Sequence, residues 1–302
     1  MNESGEVFIH YGYEPEEGEI DIPLAHDLTF NTKDGTVQYT RTMATGDYNG
    51  DGCDDIVVSA PAVNGSGTAR GEVYVYFGRG PACVSSDPID GAVPDVIFEG
   101  GADNDKLGDG EITVIGDVNG DGKIDFVFAD DNRIYVAYGG DAGGQVTNYT
   151  ITGLKLFPGL KVGYGHFNSV AYSDLVIGNH DSIKVYYGSD IGISGVPSQT
   201  IDDISPVNYS YPPSVTNFAM AVSPSMPDIN GDGFSDLITA SSRGLLIYYT
   251  INGELMDMPS VFDSFIGVTS THYTKLLMLD YGIVYCDSTT DKGSCYILSY
   301  GE

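Results

Sequence analysis

The sequence lacks tryptophan altogether and is poor in basic residues, since its 302 residues include only 13 Lys and Arg against 43 Asp and Glu. The formal net charge of −30 repels nucleic acid and anionic membranes, so neither is expected as a partner. There is also no uninterrupted apolar run of the roughly 18 residues that a membrane-spanning helix needs. Such an acidic chain is suited to metal cations, and the rest of its acidity is most simply a solvated surface, with a specific cationic partner as the alternative.

Groups that would indicate catalysis are also missing. The five histidines are scattered along the chain, at His10, His26, His166, His180 and His272. There is no nucleophile elbow, no phosphate-binding glycine loop and no cluster of cysteines and histidines with metal-ligand spacing. We therefore predict that the chain is not an enzyme.

What the sequence does contain is a repeat. Six segments share an apolar and aromatic strand pattern, and most of them end in Tyr-Gly or Phe-Gly. They begin at Glu6, Glu72, Ile134, Ile183, Leu245 and Cys295. The pattern predicts six short β-strands whose tyrosines pack between neighbouring sheets, with sugar stacking as the alternative role of these rings.

A second repeated segment is an acidic loop of nine positions followed by a short apolar strand. Four copies align: loop 1 (Asp47–Asp55), loop 2 (Asp117–Asp125), loop 3 (His166–Asp174) and loop 4 (Asp228–Asp236). Loops 1, 2 and 4 share the pattern Asp-x-Asn-Gly-Asp-Gly-x-x-Asp, whereas loop 3 lacks the aspartates at positions 1 and 5. A fifth copy, near Leu279–Cys286, is shortened to a bare turn.

The spacing of these loops indicates the architecture. Equivalent positions are about 50 to 70 residues apart, which leaves room for about four short strands in each repeat, as in a β-propeller blade. We label the strands of a blade A to D from the innermost outwards. In the first blade they are predicted at Val37–Ala44, Asp55–Ser59, Glu72–Phe77 and Asp95–Glu99.

Residues 1–302 are therefore predicted to form a single all-β domain, a β-propeller of four-stranded antiparallel blades. Four whole blades and a last blade with strands A to C can be counted, which favours five blades. An N-terminal strand, at Val7–Tyr11 or Leu28–Asn31, would then complete the last blade and remove its open edge. The alternative is a fragment of a six- or seven-bladed ring.

Loops 1, 2 and 4 carry the oxygen ligands that Ca²⁺ prefers. Side chains at positions 1, 3, 5 and 9 and the carbonyl at position 7 are the predicted ligands, and about three ions are expected. These residues are Asp47, Asn49, Asp51, Cys53 and Asp55 in loop 1, Asp117, Asn119, Asp121, Lys123 and Asp125 in loop 2, and Asp228, Asn230, Asp232, Phe234 and Asp236 in loop 4. The glycine at position 6 is expected where the backbone turns sharply.

An EF-hand begins with the same pattern but needs a glutamate at position 12 and a following helix. Position 12 is Val58, Phe128 and Thr239 in the three loops, and strand-like sequence follows each of them, so an EF-hand is not expected. Loop 3 keeps only Asn168 and Asp174 of the ligand set, and it is predicted to hold no ion.

The four cysteines allow two local disulfides. Cys53 in loop 1 and Cys83 in the C–D connection lie at the same end of one predicted blade, and Cys286 and Cys295 flank the last B–C turn. Such pairing predicts an oxidising compartment, with four separate thiols as the alternative. The first residues, Met1–Glu6, are polar and acidic, unlike a signal peptide, so a secreted protein is expected to be represented here by its mature part.

The loops resemble the FG-GAP repeat of integrin α-subunit propellers and of their bacterial and fungal lectin-like relatives. The resemblance includes the turn at Ser59, Ala60 and Pro61 and the strand Gly71–Tyr76 that follows it. The Phe-Gly element is weak, and Leu107 with the next glycine is its nearest counterpart. The resemblance implies Ca²⁺ in the A–B loops on one face, and ligand recognition through the B–C and D–A loops on the opposite face.

We therefore expect an extracellular or cell-surface binding or adhesion propeller, stabilised by Ca²⁺, that recognises a protein or a glycan. The alternative is a carbohydrate-binding, lectin-like module, or an accessory module of a carbohydrate- or lipid-active enzyme. The sequence determines neither the ligand nor the oligomeric state.

Overall fold

The computed structural model describes residues 6–9, 28–31, 42–78, 94–110, 112–129, 133–140, 149–151, 161–178, 182–202, 221–222, 226–241, 244–257, 261–263, 274–279, 282–287 and 294–299. These segments form 23 β-strands. This part of the chain has no helix with the length and apolar character needed to cross a membrane.

The strands are short and follow one another closely along the chain. They are β1 (Glu6–Ile9), β2 (Leu28–Asn31), β3 (Met43–Gly46), β4 (Asp55–Ala60), β5 (Glu72–Tyr76), β6 (Val96–Glu99), β7 (Thr113–Gly116), β8 (Asp125–Ala129), β9 (Ile134–Ala137), β10 (Tyr149–Ile151), β11 (Lys161–Gly165), β12 (Asp174–Gly178), β13 (Ser182–Tyr186), β14 (Gln199–Asp202), β15 (Ala221–Val222), β16 (Leu237–Ser241), β17 (Gly244–Tyr248), β18 (Thr250–Ile251), β19 (Glu254–Leu255), β20 (Val261–Asp263), β21 (Thr274–Leu279), β22 (Gly282–Asp287) and β23 (Ser294–Ser299).

The sheets are antiparallel and follow the order of the chain. Blade 1 is β3 to β6, blade 2 is β7 to β10, blade 3 is β11 to β14, and blade 4 is β15, β16, β17 and β20, with the hairpin β18–β19 between its last two strands. Blade 5 has the three strands β21 to β23. The innermost strands of successive blades contact one another in chain order. The predicted all-β propeller fold with four-stranded antiparallel blades is confirmed.

The N-terminal strands β1 and β2 pair with each other. Their register places Glu6 opposite Asn31, and blade 5 has no fourth strand among the described residues. The hydrogen-bonding edge of β1 that faces β2 is therefore used within a separate two-stranded sheet. Closure of the ring, the count of five blades and the extent of a single domain over residues 1–302 stay predictions.

The core lies between the blades. Successive sheets cover each other, so strands B and C are apolar on both faces, unlike a sheet with one solvated side. In β4, Val57 packs with Phe98 and Phe128 in the cluster between blades 1 and 2, whereas Val58 packs with Tyr74 in a second cluster. Because both faces need apolar residues, the two central strands read as continuous apolar runs in the sequence.

Three tyrosines of the repeated strand C, Tyr135, Tyr186 and Tyr248, lie in the clusters between blades. Tyr135 stacks on Phe128 with ring centroids 5.7 Å apart. Tyr186 and Tyr248 are fully buried. The prediction that the tyrosines pack between blades is confirmed for these three rings, and none of the three is available for stacking on a sugar. Tyr74 and Tyr76 lie instead in a cluster of blade 1 residues.

Most of the predicted strands are found at the predicted places. Strands B to D of blade 1 agree within about two residues. The predicted beginning of strand A, Val37–Arg41, lies outside the described residues. Leu279 pairs with Gly282 in the register of β21 and β22, and the two residues between them, where the sequence predicts a bare turn, lie outside the described residues.

Candidate functional site

Loops 1 to 4 occupy the same place in four consecutive blades. Each connects strand A to strand B, and position 9 is the last loop residue or the first residue of strand B. In an antiparallel meander the A–B and C–D connections lie at one end of the blade and the B–C and D–A connections at the other. The four loops therefore share one end of the propeller, which we call the loop face.

The tip of loop 1 is held by its own side chains. The carboxylate at position 1 accepts hydrogen bonds from the amides of positions 4, 5 and 6, at 2.8, 3.0 and 2.9 Å. The side-chain oxygen at position 3 accepts from the amide of position 5, and the carboxylate at position 5 accepts from the amide of position 7. The same five bonds recur in loops 2 and 4. The predicted ligands at positions 1, 3 and 5 are thus brought together in all three loops.

The glycine at position 6 has the conformation predicted for it. Its φ is +87° at Gly52, +82° at Gly122 and +94° at Gly233, in the left-handed region that disfavours other residues. A Cβ added at any of the three would meet nothing within 4 Å. Backbone conformation, and not lack of space, therefore requires glycine at this position.

The aspartate at position 9 has a different environment from the other predicted ligands. In loop 1, Asp55 is completely buried, and its Oδ2 accepts from the amides of Tyr48 and Asn49 at 2.9 and 3.2 Å. Its Oδ1 accepts from the amide of Gly78, which follows strand C, at 2.8 Å. One carboxylate therefore joins the beginning of the A–B loop to the end of strand C. We call this arrangement the aspartate clamp.

The aspartate clamp occurs in all four loops, including loop 3. The bond from the end of strand C runs from Gly78 to Asp55 (2.8 Å), from Gly139 to Asp125 (2.7 Å), from Gly188 to Asp174 (2.9 Å) and from Thr250 to Asp236 (2.8 Å). The bond from position 2 is equally regular, at 2.7 to 2.9 Å. Position 9 thus has a structural role that does not depend on the other ligand positions.

The glycine that ends the repeated strand lies against the A–B loop of the preceding blade. A Cβ on Gly139 would lie 2.8 Å from the carbonyl oxygen of Tyr48, and one on Gly188 would lie 2.7 Å from that of Val118. These carbonyls belong to the loop of the preceding blade, so the glycine permits close contact between blades. Blade 4 has Thr250 at this place, which keeps the bond to position 9 and also donates its hydroxyl to the carbonyl of Ser235 at 2.6 Å.

Burial dominates the electrostatics of position 9. It raises the pKa of Asp55 to about 6 and that of Asp125 to about 7, although the amide hydrogen bonds act in the opposite direction. Neighbouring carboxylates in the same loop add to the rise. Burial likewise raises the pKa of Asp174 to about 6, and there the charge of His166 lowers it in part. A cation in loop 1 or 2 would favour the ionised carboxylate.

The donor set of loops 1, 2 and 4 fits Ca²⁺ in its chemistry, because it consists only of carboxylate, amide and carbonyl oxygens. A carboxylate offers about four acceptor sites, and the three amide bonds to Asp55 leave capacity for a metal ion. In the described residues the carboxylates at the loop tips turn onto the loop amides, and no three Asp, Glu, His or Cys side chains converge as a metal centre. Calcium binding by these residues stays a prediction.

The opposite end of blade 1 carries a second polar feature, which we call the blade 1 rim. It consists of the long B–C connection, residues 61–71, and the segment 100–110 that follows strand D. Backbone bonds join the two, from Asn104 to Thr68 at 2.8 Å and from Leu107 to Arg70 at 2.8 Å. The corresponding B–C connections of blades 2, 3 and 4 are much shorter, so this feature belongs to blade 1.

Charged side chains and strained backbone meet in the blade 1 rim. Arg70 pairs with Glu99 at 3.4 Å and with Asp103 at 3.3 Å. Asn104 and Lys106 have φ of 66° and 53°, and Ala69 has φ of 45°, which non-glycine residues rarely adopt. The family resemblance predicts ligand recognition at this end of the blade but does not point to these residues. The sequence feature that could have indicated them is the polar, glycine-rich composition of residues 64–68, which contain Asn, Gly, Ser and Thr.

Comparison with known proteins bears on the same blade. The model of the FG-GAP repeat matches residues 39–76, which include loop 1 and strands β3 to β5. The chain contains an FG-GAP repeat. A segment of 86 residues is 36% identical to the phosphatidylinositol-glycan-specific phospholipase D of Mus musculus. That segment is 28% of this chain and 10% of the phospholipase, so the chain spans about a tenth of this relative.

Solved structures resemble the chain at low sequence identity. BBS1N, in its complex with ARL6DN, is 15% identical with a TM-score of 0.44, over 89% of this chain and 72% of BBS1N. An Agrocybe aegerita lectin that recognises non-reducing terminal N-acetylglucosamine is 15% identical with a TM-score of 0.40, over 88% of this chain and 82% of the lectin. The Tc holotoxin of Photorhabdus luminescens is 14% identical with a TM-score of 0.41, over 97% of this chain and 12% of the toxin chain.

Three of the four cysteines in the predicted disulfides are among the described residues. Cys53 is buried at position 7 of loop 1, and Cys83 lies outside the described residues. Cys286 and Cys295 stand opposite each other in the register of β22 and β23. This register agrees with the predicted place of the second bridge, and both pairings stay predictions.

Proposed function

We propose that the chain is a non-catalytic, calcium-stabilised binding propeller of the extracellular space or cell surface, with a protein or glycan as its ligand. The observation that carries the proposal is the recurrence of one oxygen-rich loop, with the same tip bonds, in three of four consecutive blades. An acidic turn without a metal function gives no reason for three matching sets of ligands.

The role of the ions follows from the charge of the loops. Within nine positions, loop 1 holds four carboxylates and loops 2 and 4 hold three each, and these repel one another when ionised. Burial is the main cause of the raised pKa of Asp125, and repulsion by Asp121 and Asp117 adds to it. Ca²⁺ would offset the repulsion and stabilise the loop face. Extracellular Ca²⁺-binding modules work at millimolar Ca²⁺, and the proposed location would supply the ion at that concentration.

The ligand is assigned to the end opposite the loop face. The blade 1 rim is exposed, polar and held in a strained conformation, and strained backbone is found often at binding sites. Loops at the ends of a rigid β scaffold commonly carry recognition. A protein or glycan that binds there would be recognised by hydrogen bonds from residues 64–68 and by the charges around Arg70.

Calcium binding is tested by chelation and by metal analysis. The wild-type protein should bind three ions, and EDTA should lower its melting temperature. The double variant Asp117→Ala, Asp121→Ala should bind two. An unchanged melting curve in EDTA would refute the structural role of the metal, and three ions in the variant would refute the assignment of the ligands.

The ligand is tested on an array of immobilised glycans. A sugar that binds the wild type and is lost in Arg70→Ala, Asp103→Ala would support glycan recognition at the blade 1 rim. The matched control is Asp190→Ala, an exposed change on the loop face that should leave binding intact. If no glycan binds, the proposal reduces to a protein ligand.

A further inference from the structure

Neighbouring A–B loops are joined through their backbones. The amide at position 8 of each later loop donates to the carbonyl at position 1 of the loop before it. These bonds run from Ile124 to Asp47 (2.9 Å), from Ser173 to Asp117 (2.8 Å) and from Ser235 to His166 (2.8 Å). Position 1 carries the first proposed ligand of the ion, so each loop is positioned in part by the next blade.

A side chain makes a second connection between the loops. The residue at position 7 of one loop lies over the glycine at position 4 of the preceding loop. Lys123 of loop 2 has its Cγ 3.1 Å and its Cε 3.5 Å from the point where a Cβ on Gly50 would be. Tyr172 of loop 3 has its Cε1 2.6 Å from the corresponding point on Gly120. Loop 1 is thus covered by a cationic side chain and loop 2 by an aromatic ring.

The place of Lys123 brings a positive charge to the tip of loop 1. The amide of Gly50 donates to the carboxylate of Asp47 at 2.8 Å. The ammonium of Lys123 is bonded to this Cε, so the positive charge is within a few ångströms of the tip of a loop that carries four aspartates. A fixed cation there stabilises the carboxylates and repels a divalent ion. The ring of Tyr172 brings no comparable charge to loop 2.

We infer that Lys123 acts as an internal competitor of Ca²⁺ in loop 1, so that loop 1 binds the ion more weakly than loop 2. The inference rests on the proposed calcium binding and deepens it. Lys123 belongs to both sites, since its carbonyl is a proposed ligand in loop 2 and its side chain lies on loop 1. The two loops would fill one after the other as the concentration of Ca²⁺ rises, with loop 2 first.

The test isolates loop 1. In a background with Asp117→Ala, Asp121→Ala, Asp228→Ala and Asp232→Ala, only loop 1 keeps its ligands, and titration calorimetry with CaCl₂ reports its dissociation constant. Lys123→Met keeps the aliphatic stem and the carbonyl but removes the charge. The variant should bind Ca²⁺ about three- to tenfold more tightly than the background.

Matched variants separate the charge from other effects. Lys184→Met removes the same charge from strand β13 of blade 3 and should change the dissociation constant less than about twofold. Lys123→Arg keeps the charge and should resemble the background. In the otherwise unchanged protein, Tyr172→Lys places a cation over loop 2 and should weaken one of the three binding events. Melting curves in EDTA confirm that each variant is folded.

The titrations distinguish failure of the proposed calcium binding from failure of the inference about Lys123. If the wild type binds no Ca²⁺ in the same titration, the proposed function is refuted and the inference with it. If three ions bind but Lys123→Met and Lys184→Met have the same dissociation constant, only the inference is overturned. If the folded Lys123→Met variant alone binds more tightly, the inference is supported.

Discussion

Loop 3 and loop 2 have nearly the same backbone architecture but different chemistry at the tip. Both have the aspartate clamp, with bonds of 2.7 to 2.9 Å from position 2 and from the end of strand C. Loop 2 has aspartates at positions 1 and 5, whereas loop 3 has His166 and the exposed Val170. The hairpin therefore forms without the acidic tip, which separates what shapes the loop from what would hold an ion.

Within the loop motif, position 9 has a different role from positions 1, 3 and 5. Position 9 is buried and bonded in every described copy, so its first role is to fix the hairpin. Positions 1, 3 and 5 organise the tip through amides of the loop itself, and among loops 1 to 4 this organisation is found in the three whose acidic pattern is complete. A calcium ion would add to a hairpin that the aspartate clamp has already shaped.

The largest effect is expected from breaking the aspartate clamp where no ion is predicted. Asp174→Ala leaves three amides of loop 3 and blade 3 without their acceptor in a buried place, which should cost about 3 kcal/mol or more of unfolding free energy. Urea unfolding measures the loss, which should be equal with and without Ca²⁺. Val170→Ala, an exposed change in the same loop, is the control. Equal midpoints for the two variants would contradict a structural role of position 9.

A smaller effect on stability is expected from a change of pH, and it tests whether burial raises the pKa of Asp174. The pKa of Asp174 is about 6 in the folded chain against 3.8 for an unperturbed aspartate, so the folded state holds its proton longer. Its contribution to stability is full below pH 3.8 and is lost as pH rises through about 6, by up to about 3 kcal/mol.

Asp174→Asn removes this titration. In EDTA, the stability difference between wild type and variant should therefore be larger at pH 4 than at pH 7, as followed by thermal unfolding. A difference that stays constant over this interval would show that Asp174 ionises normally in the folded protein.

The smallest expected effect is a gain of binding that would erase the difference between the loops. The variant His166→Asp, Ser169→Gly, Val170→Asp, Ala171→Gly restores the full pattern around Asn168 and Asp174. It should bind one additional Ca²⁺ and gain about 1.4 kcal/mol of stability at tenfold excess over the dissociation constant.

Metal analysis and melting curves with and without CaCl₂ check this outcome. His166→Asp alone, with an incomplete ligand set, is the control and should bind no additional ion. An unchanged ion count in the complete variant would mean that the pattern of the loop is not sufficient for binding.

Much of the fold could be predicted from the sequence because the pattern was repeated. Each strand alone is a short apolar run, but six copies of strand C and four loops define the blade and its strand order. The N-terminal strands could not be placed in this way. β1 has the strand C pattern, yet its pairing with β2 depends on contacts that no periodicity specifies.

The sequence predicted which residues of the candidate site are ligands, but it did not predict the separate structural role of position 9. Nine positions with alternating oxygens indicate a metal loop, and position 9 reads as one ligand among five. Its bond to the end of strand C joins residues 14 or more positions apart, and only the folded blade brings these together. The contact of the Lys123 stem with Gly50 likewise joins two blades, and the sequence of neither loop predicts it.

The sequence by itself determined which residues could bind a cation, because acidic side chains and glycines at fixed spacing are local properties of the chain. It also determined the class of fold, because apolar runs and turns recur with the period of a blade. Only the tertiary structure decided that Asp55, Asp125, Asp174 and Asp236 are buried clamps. Burial and contact between blades depend on how the sheets pack, and packing joins residues that are distant in sequence.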